Sequence, residues 1–407
     1  MFHIGAKQKY IVSKKLLYQQ FFLHSNQIHQ FIEKYGVCLL DGAMGTALYD
    51  GHAQKDVLWG SQVLMTDDGL KELEKIHMSF LHNGSQVIST NSYKISHLLL
   101  NNLDFFNTNS LAPNISTDEE KYNYTTELLK RSVEIAKISR DKYMEKNKEK
   151  DLLFPLVAAS VGPCGESTPF SGMTDPSNRV TEISDDILYQ YYYDKLKSLY
   201  KGEPDLFAIE TLPGINEATV ALDVLQNECE DAKTWISFIC KDNKTTIDGS
   251  IFKDAVAKVA AYDNVIAVGI NCVHPSLVQP LLTSAKEVTD KPLVCYPNSG
   301  ELWDAREGHR CWVDDEEKDE VPILNGSHAL EFKSYGASLI GGCCRVRANQ
   351  IGEFKEALLQ NYDIIINSAM PSKRYWAKNN PTDDFRDTVG LTADIFYNWH
   401  YKKNMQQ

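Results

Sequence analysis

Short apolar runs alternate along the chain with longer segments in which apolar residues recur every three or four positions. Runs of this kind, rich in β-branched residues and separated by helical segments, are typical of parallel βαβ units. The runs of strand length are Val37–Leu40, Gln86–Ser89, Leu156–Ser160, Leu206–Ile209, Trp235–Ile239, Val265–Ile270, Leu293–Tyr296 and Ser338–Gly341. Eight βα units close a (β/α)₈ barrel, so the pattern predicts an α/β fold of the TIM-barrel type.

Both ends of the chain differ from this pattern. Residues 1–26 are a basic extension, because they contain four lysines and the first acidic residue of the chain is Glu33. We expect this extension to be mobile or partly helical, with an organellar presequence as the alternative. The barrel is expected over residues 27–360. Residues 361–407 form a C-terminal extension too rich in aromatic residues for a disordered tail, so we expect it to dock on the barrel or on a partner.

Two internal stretches are predicted to lie outside the repeating pattern. Residues 104–125 are rich in Asn and Ser and are predicted to be a polar loop or insertion. Residues 144–151 are predicted to be the charged end of a helix followed by a linker.

Composition narrows the class of protein. With 43% hydrophobic and 24% charged residues, the 407-residue chain resembles an ordinary globular protein. Its net charge of -13 argues against a nucleic-acid partner. No apolar run reaches the roughly 20 residues that a membrane helix needs. Nine cysteines are too few for a disulfide scaffold, which predicts reduced thiols. We therefore expect a cytoplasmic protein, with an organelle as the alternative.

Polar, glycine-rich and thiol groups follow the predicted strands, at the face where barrel enzymes build their active sites. Cys272 follows the sixth predicted strand, and Cys343 and Cys344 follow the last. Three thiols at strand ends can bind one zinc ion and leave a fourth position open, where a sulfur substrate would fit. The alternative is packing in the core, but the glycines before Cys343 and the partner Cys272 favour metal binding. The other cysteines lack ligand spacing and are predicted to be packing or surface thiols: Cys38, Cys164, Cys229, Cys240, Cys295 and Cys311.

The segments at the strand ends together resemble the homocysteine S-methyltransferase family, from about Phe31 to Leu359. The late Gly-Gly-Cys-Cys, combined with an earlier Asn-Cys and a Tyr-Pro-Asn-Ser-Gly-Glu, is the most specific part of the resemblance. The matching segments are residues 40–46, 58–59, 90–93, 160–163, 210–213 with Glu217, 269–272, 296–301 and 341–344.

The resemblance implies a zinc-containing barrel that transfers a methyl group to the thiol of homocysteine and gives methionine. It implies that Cys272, Cys343 and Cys344 are the catalytic residues and bind one zinc ion per chain. It assigns the homocysteine ammonium to Asp41 and Glu210, and the carboxylate to the backbone of residues 42–46. The substrate contacts that it implies in addition are Gly42, Met44, Gly45, Thr46, Asn91, Asn271 and Asn298. The methyl donor that it implies is a sulfonium, S-methylmethionine or S-adenosylmethionine.

Several of these residues have plainer alternatives. Asp41 could cap the following turn, although its place beside a glycine-rich loop favours binding. Glu210 could pair with a lysine, since an acid ending an apolar strand needs a cation. Tyr93 and Trp59 could line a pocket for a sulfonium, and packing is the alternative for Trp59. His77, on the helix before the second strand, is predicted to be structural, with proton transfer as the alternative.

The chain departs from the family pattern at two places. Residues 345–348 read Arg-Val-Arg-Ala after the cysteine pair, and Cys164 stands where the family often has an aromatic residue. These departures concern the donor side of the site and leave the three thiols intact.

Two other functions remain as alternatives. One is a betaine-type or other thiol methyltransferase on the same barrel, and the other is an inactive protein that binds zinc or thiols. The partners expected in every case are small molecules, with no nucleic acid and no membrane. Assembly into an oligomer of identical chains is left open.

Overall fold

The computed structural model describes residues 28–49, 58, 60–102, 105–111, 113, 115–167, 183–304, 311–313 and 324–369. The predicted extension at residues 1–26 lies outside the described residues, as do Trp59 and most of the extension at 361–407. The chain divides into two compact units, residues 1–358 and 359–407. Within the second unit the described residues, 359–369, are helical.

Eight parallel strands form one sheet in the order β1-β10-β7-β6-β5-β4-β3-β2. Between the sheet's two edges, the Gln86 N–H donates to the carbonyl of Leu39 at 2.7 Å, which brings the barrel close to closure. The predicted (β/α)₈ fold is confirmed. The strands of this sheet are β1 (Cys38–Leu39), β2 (Val87–Ser89), β3 (Leu156–Val161), β4 (Leu206–Leu212), β5 (Thr234–Phe238), β6 (Val265–Asn271), β7 (Leu293–Tyr296) and β10 (Ala337–Ile340).

Helices lie between the strands and cover the outer face of the sheet. Helix α1 comprises the described residues 28–35 and precedes β1. The other described helices are α2 (Met44–Tyr49), α3 (Asp67–His82), α4 (His97–Asn102), α5 (Phe105–Thr108), α6 (Asp118–Lys146), α7 (Asp185–Tyr200), α8 (Ile215–Glu228), α9 (Phe252–Ala260), α10 (Val278–Lys286), α11 (Gly326–Ser334) and α12 (Ala348–Ala369). Among the described residues, no helix has the length and apolar character needed to cross a membrane.

The core has two layers because successive side chains of a strand point to opposite faces. Leu156 and Ala158 of β3 belong to a cluster inside the barrel, which also includes Ile28 and Phe31 of α1. Val157 and Ala159 belong to the larger cluster between sheet and helices. Because strands β3 to β7 are almost wholly buried on both faces, they appear in the sequence as continuous apolar runs.

Two features differ from the sequence-based expectation. Residues 104–125 contain helix α5 and the first turns of α6, so they are not simply a polar loop. Helix α6 begins with a capping box between Thr117 and Glu120, a Thr-x-x-Glu signal that the high polar content of the stretch obscured. Strands β8 (Leu302–Asp304) and β9 (Cys311–Val313) form an antiparallel pair that the strand pattern did not predict.

Candidate active site and metal centre

The three predicted ligand cysteines lie together at the carboxyl ends of neighbouring strands. Cys272 directly follows β6, and Cys343 and Cys344 follow β10 after two glycines. Their sulfur atoms all lie within 4.8 Å of one another, and each residue is partly buried. Cys272 and Cys343 form a disulfide in this structure, with their Cα atoms 5.4 Å apart, whereas the sequence predicted three free thiols. A Cα–Cα distance of 5.4 Å lies within the range in which two cysteines can form a disulfide.

One of the sulfur–sulfur separations, between Cys272 and Cys344, matches that of a tetrahedral zinc site. Two thiolates that share a zinc ion with bonds of about 2.3 Å lie about 3.8 Å apart. The Sγ atoms of Cys272 and Cys344 are separated by 3.9 Å. Reduction of the Cys272–Cys343 disulfide would make all three sulfurs available as ligands, since zinc binds thiolates.

The segment after β7 joins the two loops that carry these cysteines. The Cys272 N–H donates to the carbonyl of Tyr296 at 3.2 Å, and the Cys343 N–H donates to that of Pro297 at 2.7 Å. The side chain of Asn298 spans both loops, because Nδ2 donates to the Cys272 carbonyl and Oδ1 accepts from the Cys344 N–H. The loops are therefore held together by protein contacts alone.

Two carboxylates lie at the ends of β1 and β4. Asp41 is 6% exposed and accepts hydrogen bonds from the Ser89 N–H at 2.7 Å and the Ser89 hydroxyl at 3.0 Å. Glu210 is 9% exposed and accepts from the Ser160 hydroxyl. The nearby Tyr296 hydroxyl also favours the ionised form of Glu210 and lowers its pKa.

Burial makes both carboxylates weaker acids. Desolvation raises the pKa of Asp41 to about 7, and the nearby negative charge of Glu210 adds to this shift. Desolvation also raises the pKa of Glu210, although the hydrogen bond from Ser160 and the Tyr296 hydroxyl oppose the increase. Two acids in a shared buried region favour the binding of a cation between them.

A lysine partner for Glu210 was the plainer alternative. Lys195 on α7 is buried nearby, and its positive charge lowers the pKa of Glu210 slightly. Its ammonium, however, donates to the carbonyl of Tyr93 at 2.6 Å and contacts the Tyr191 hydroxyl at 3.0 Å. Within the described part of the chain, no ion pair within 4.0 Å joins Lys195 to Glu210. Lys195 therefore supports the loop after β2 and leaves the carboxylate of Glu210 without a direct lysine partner among these residues.

The glycine-rich loop after β1 lies against the segment that follows the cysteine pair. The Ala43 N–H donates to the carbonyl of Val346 at 2.9 Å, and the Arg345 N–H donates to Thr46 Oγ1 at 3.0 Å. A Cβ atom on Gly42 would come 2.5 Å from the Val346 carbonyl oxygen, so this close approach requires glycine. Met44, at the start of α2, packs against the core while half-buried. The loop thus borders the candidate cysteine ligands.

The amide side chains predicted to contact substrate bind protein groups in this structure. Asn91 contacts the Ser61 hydroxyl at 3.2 Å and the Gly60 carbonyl at 3.3 Å. Asn271 Oδ1 accepts from the Thr211 N–H at 2.8 Å, and its Nδ2 donates to Thr211 Oγ1 at 2.8 Å. Together with the bridge made by Asn298, these contacts point to support of the site, and a direct contact with substrate stays a prediction.

Several supporting residues were missed in the sequence, chiefly Ser89, Ser160 and Tyr296. Each lies at or next to the carboxyl end of a strand, and Ser160 and Tyr296 also belong to segments that resemble the family, but neither signal assigned them a role. Glu217 belongs to one of the segments that resemble the family. It is buried on α8, where it accepts hydrogen bonds from the Cys164 N–H and the Tyr192 hydroxyl. Outside the site, the cysteines whose side chains the structure describes are buried, as predicted for packing residues: Cys38, Cys164, Cys229, Cys240 and Cys295. For Cys311 the structure gives only its position in strand β9.

Comparison with known proteins identifies relatives over most of the chain. A homocysteine S-methyltransferase family model matches residues 38–358. Homocysteine S-methyltransferase 3 of Arabidopsis thaliana is 31% identical over 350 residues, covering 82% of this chain and 93% of the relative. A selenocysteine methyltransferase of Astragalus bisulcatus is also 31% identical, covering 81% of this chain and 95% of the relative.

Solved structures similar to this chain also include those of a homocysteine methyltransferase. The oxidized form of the Escherichia coli homocysteine methyltransferase MmuM has a TM-score of 0.65 and 27% identity, covering 81% of this chain and 98% of that one. The metallated form has a TM-score of 0.64 and 28% identity, covering 82% and 99%. The chain is an enzyme of the methyltransferase class and belongs to the homocysteine S-methyltransferase family.

Proposed function

We propose that this enzyme transfers a methyl group from a sulfonium donor to the thiol of L-homocysteine and requires one zinc ion per chain. The observation that carries the proposal is the proximity of Cys272, Cys343 and Cys344 at one end of a barrel that also holds the buried acids Asp41 and Glu210. The cysteines would bind the thiol of a substrate through zinc, and the acids would bind its ammonium group. A substrate that carries both groups is an amino-acid thiol. The family match and the homocysteine methyltransferases among the relatives support this acceptor.

The three cysteine sulfurs would hold the zinc ion. When bound, zinc would supply a Lewis acid that favours the thiolate form of a thiol beside it. The cysteinates contribute negative charge, which keeps the site electron-rich and attracts a cationic donor. This charge favours a sulfonium over a neutral methyl donor.

Asp41 and Glu210 would bind the substrate ammonium and fix its orientation. Both carboxylates are buried, so a cation held there experiences little competition from water. The loop of residues 42–46 would face the substrate carboxylate, because it lies between Asp41 and the residues next to Cys344. The ammonium and carboxylate contacts would together place the sulfur in line with the donor methyl group, which lowers the entropic part of the barrier.

The chemistry needs no acid to protonate the leaving group. A sulfonium that loses a methyl cation leaves as a neutral thioether, and the attacking thiolate becomes the thioether of methionine. S-Methylmethionine and S-adenosylmethionine both fit this description. Most of the rate enhancement would therefore come from the way the chain binds and aligns the two substrates, and not from proton transfer to the leaving group.

Incubating the reduced full-length protein with zinc, homocysteine and each donor in turn tests the proposal. We expect methionine from at least one sulfonium donor and about one zinc per chain. Cys272→Ala, Cys343→Ala and Cys344→Ala should each abolish turnover and lower the zinc content, because each removes a ligand. Cys229→Ala is the control, because Cys229 is a buried thiol away from the site.

The alternatives give different results in the same assay. Turnover with betaine but with neither sulfonium would assign a betaine-type methyltransferase. Zinc binding without turnover from any donor would assign a zinc- or thiol-binding protein. Full zinc and turnover in Cys344→Ala would contradict the site.

A further inference from the structure

We infer that Asn271 is a positioning residue that fixes the distance between the Glu210 carboxylate and the cysteine site, and thereby selects the length of the amino-acid thiol. This inference rests on the proposed function and adds a determinant of substrate length to it. It begins from an irregularity in β4, next to Glu210.

Strand β4 contains an extra residue where Glu210 and Thr211 lie. Ile209 pairs with Ile236 of β5, but the next pair joins Leu212 to Phe238, so β4 has one more residue than β5 over this interval. Thr211 has a left-handed backbone with φ of 61°. This conformation is unfavourable for a β-branched residue and persists only where its surroundings hold it. Bulges of this kind redirect side chains beside active sites.

The Asn271 side chain holds this irregularity in place. Its Oδ1 accepts from the Thr211 N–H at 2.8 Å and from the Ser237 hydroxyl at 2.9 Å, and its Nδ2 donates to Thr211 Oγ1 at 2.8 Å. The residue is 1% exposed, and both lone pairs of the amide oxygen have donors. Asn271 therefore spans from β6 across β5 to β4, and it fixes Thr211 through both its backbone and its side chain.

Asn271 also directly precedes the ligand Cys272. A single residue thus links the strand that carries the ammonium-binding Glu210 to the strand that carries a cysteine ligand. Homocysteine and cysteine differ by one methylene between ammonium and sulfur, so the distance between these two binding points distinguishes them. A difference of one methylene typically gives a 10–200-fold preference. Among the relatives, one is named a selenocysteine methyltransferase, so acceptor length varies among similar chains.

Cys272 has supports that do not involve the Asn271 side chain. Its N–H donates to the Tyr296 carbonyl at 3.2 Å, and its carbonyl accepts from Asn298 Nδ2 at 3.1 Å. Removal of the Asn271 amide should therefore release the Glu210 side of the site and leave the metal side in place. This separation makes a positioning role distinguishable from a general structural one.

The test compares Asn271→Ala with wild type, using L-homocysteine and L-cysteine as acceptors and Zn²⁺ titration of the reduced metal-free protein. We expect the KM for homocysteine to rise about tenfold. The preference for homocysteine over cysteine, as a ratio of kcat/KM, should fall about tenfold. Zinc affinity should stay within about threefold of wild type. Asn264→Ala is the matched control, because Asn264 directly precedes β6 at its opposite end and its amide has no hydrogen-bond partner among the described residues.

Thr211→Val gives a second variant that keeps Asn271 and removes one of its three hydrogen bonds. It should lower the same preference by a smaller factor, and it should have no further effect in the Asn271→Ala background, because the shared contact is already lost. It also carries the test if Asn271→Ala does not fold. An unchanged acceptor preference, or a loss of zinc affinity in proportion to the loss of homocysteine, would overturn the inference. A wild-type enzyme without activity on homocysteine would instead refute the proposed function.

Discussion

Three residues with left-handed backbone conformations lie at the site although none is glycine. Thr211, Cys272 and Arg345 have φ of 61°, 53° and 67°. Thr211 follows an acid that would bind substrate, Cys272 is a candidate ligand, and Arg345 follows another candidate ligand, Cys344. Such conformations are unfavourable and persist where other contacts hold them. All three lie at or just beyond the carboxyl ends of strands β4, β6 and β10, on the face of the barrel that carries the candidate site.

The candidate site residues could be proposed from the sequence because the chemistry restricts the residue types. A zinc site for a thiol would call for cysteine and an ammonium site for carboxylates, so the resemblance to the family pointed to Cys272, Cys344, Asp41 and Glu210, and the structure brings the cysteines together. Ser160 was not recognised as a support for Glu210 because a serine hydroxyl fits many environments. Its role becomes apparent only when the two strands lie side by side.

The raised pKa of Asp41 predicts how homocysteine binding depends on pH. The carboxylate must be ionised to attract the ammonium, and burial raises its pKa to about 7 in the free enzyme. Lowering the pH from 8 to 6 should therefore weaken homocysteine binding about tenfold. Asp41→Asn should bind less tightly by about 1.5–3 kcal/mol at pH 8, and its affinity should change less with pH. Isothermal titration of the zinc-loaded protein measures both effects.

The substrate thiol also ionises with pH, but its contribution is the same for wild type and for Asp41→Asn. The difference in pH dependence between these two proteins therefore reports on Asp41. Asp68→Asn is the control for a lost surface charge, since Asp68 lies exposed at the start of α3. Glu210→Gln should weaken homocysteine binding and retain zinc in the same way as Asp41→Asn. Loss of metal from either variant, with normal affinity in the fraction that keeps zinc, would reassign these acids to support of the metal site.

At the scale of elements, the strands were predictable and their irregularities were not. All eight predicted strands are present, and β7 has the predicted bounds, Leu293–Tyr296. Apolar runs mark buried strands because both faces of the sheet are covered. The extra residue in β4 leaves no trace in the sequence, since Glu210-Thr211-Leu212 would also fit a regular strand end. It depends on Asn271, which lies 60 residues later.

Helix α3 carries a buried histidine that should make stability depend on pH. Neither ring nitrogen of His77 has a hydrogen-bond partner among the described residues. Burial lowers the pKa of His77 from 6.5 to about 4. Between these values the unfolded chain binds a proton that the folded chain does not, so this residue reduces the free energy of unfolding as the pH falls from 6.5 towards 4.

His77→Leu removes this proton while keeping a side chain of similar size in an apolar position. Relative to wild type, the variant should gain about 2 kcal/mol in free energy of unfolding when the pH is lowered from 7.5 to 5. Urea unfolding at the two pH values measures the difference, and comparison with wild type cancels the opposite contribution of Asp41. His82→Gln is the control on the exposed face of the same helix. Parallel pH dependence of His77→Leu and wild type would show that His77 is protonated in the folded protein.

At the scale of the whole molecule, the barrel brings together residues that are far apart in the sequence. Parallel strands end at the same face, so β1, β4, β6, β7 and β10 all deliver residues to one mouth. The hydrogen bond between Thr46 and Arg345 spans 299 positions of sequence. This convergence was predictable because it follows from the topology alone. The pairing of β8 with β9 was not, because three-residue strands are too short to give a periodic pattern.

The location of the site predicts that residues 361–407 are dispensable for binding. Every candidate ligand and substrate contact lies between Asp41 and Cys344, and these residues belong to the first compact unit, residues 1–358. Ile351, Phe354 and Leu358 of α12, which are buried in the barrel's core, also precede the extension. A chain that ends at Gln360 should therefore keep its zinc and bind homocysteine within about threefold of the full-length affinity.

Metal analysis and calorimetric titration of the truncated and full-length proteins, both reduced, provide the measurement. The high aromatic content of the extension leads us to expect lower solubility or a changed oligomeric state on truncation. Neither effect should alter the strands that hold Asp41, Glu210 and the cysteines. A folded truncation that retains zinc but no longer binds homocysteine would mean that residues 361–407 complete the substrate site, since the metal side would then be intact and only the amino-acid side lost.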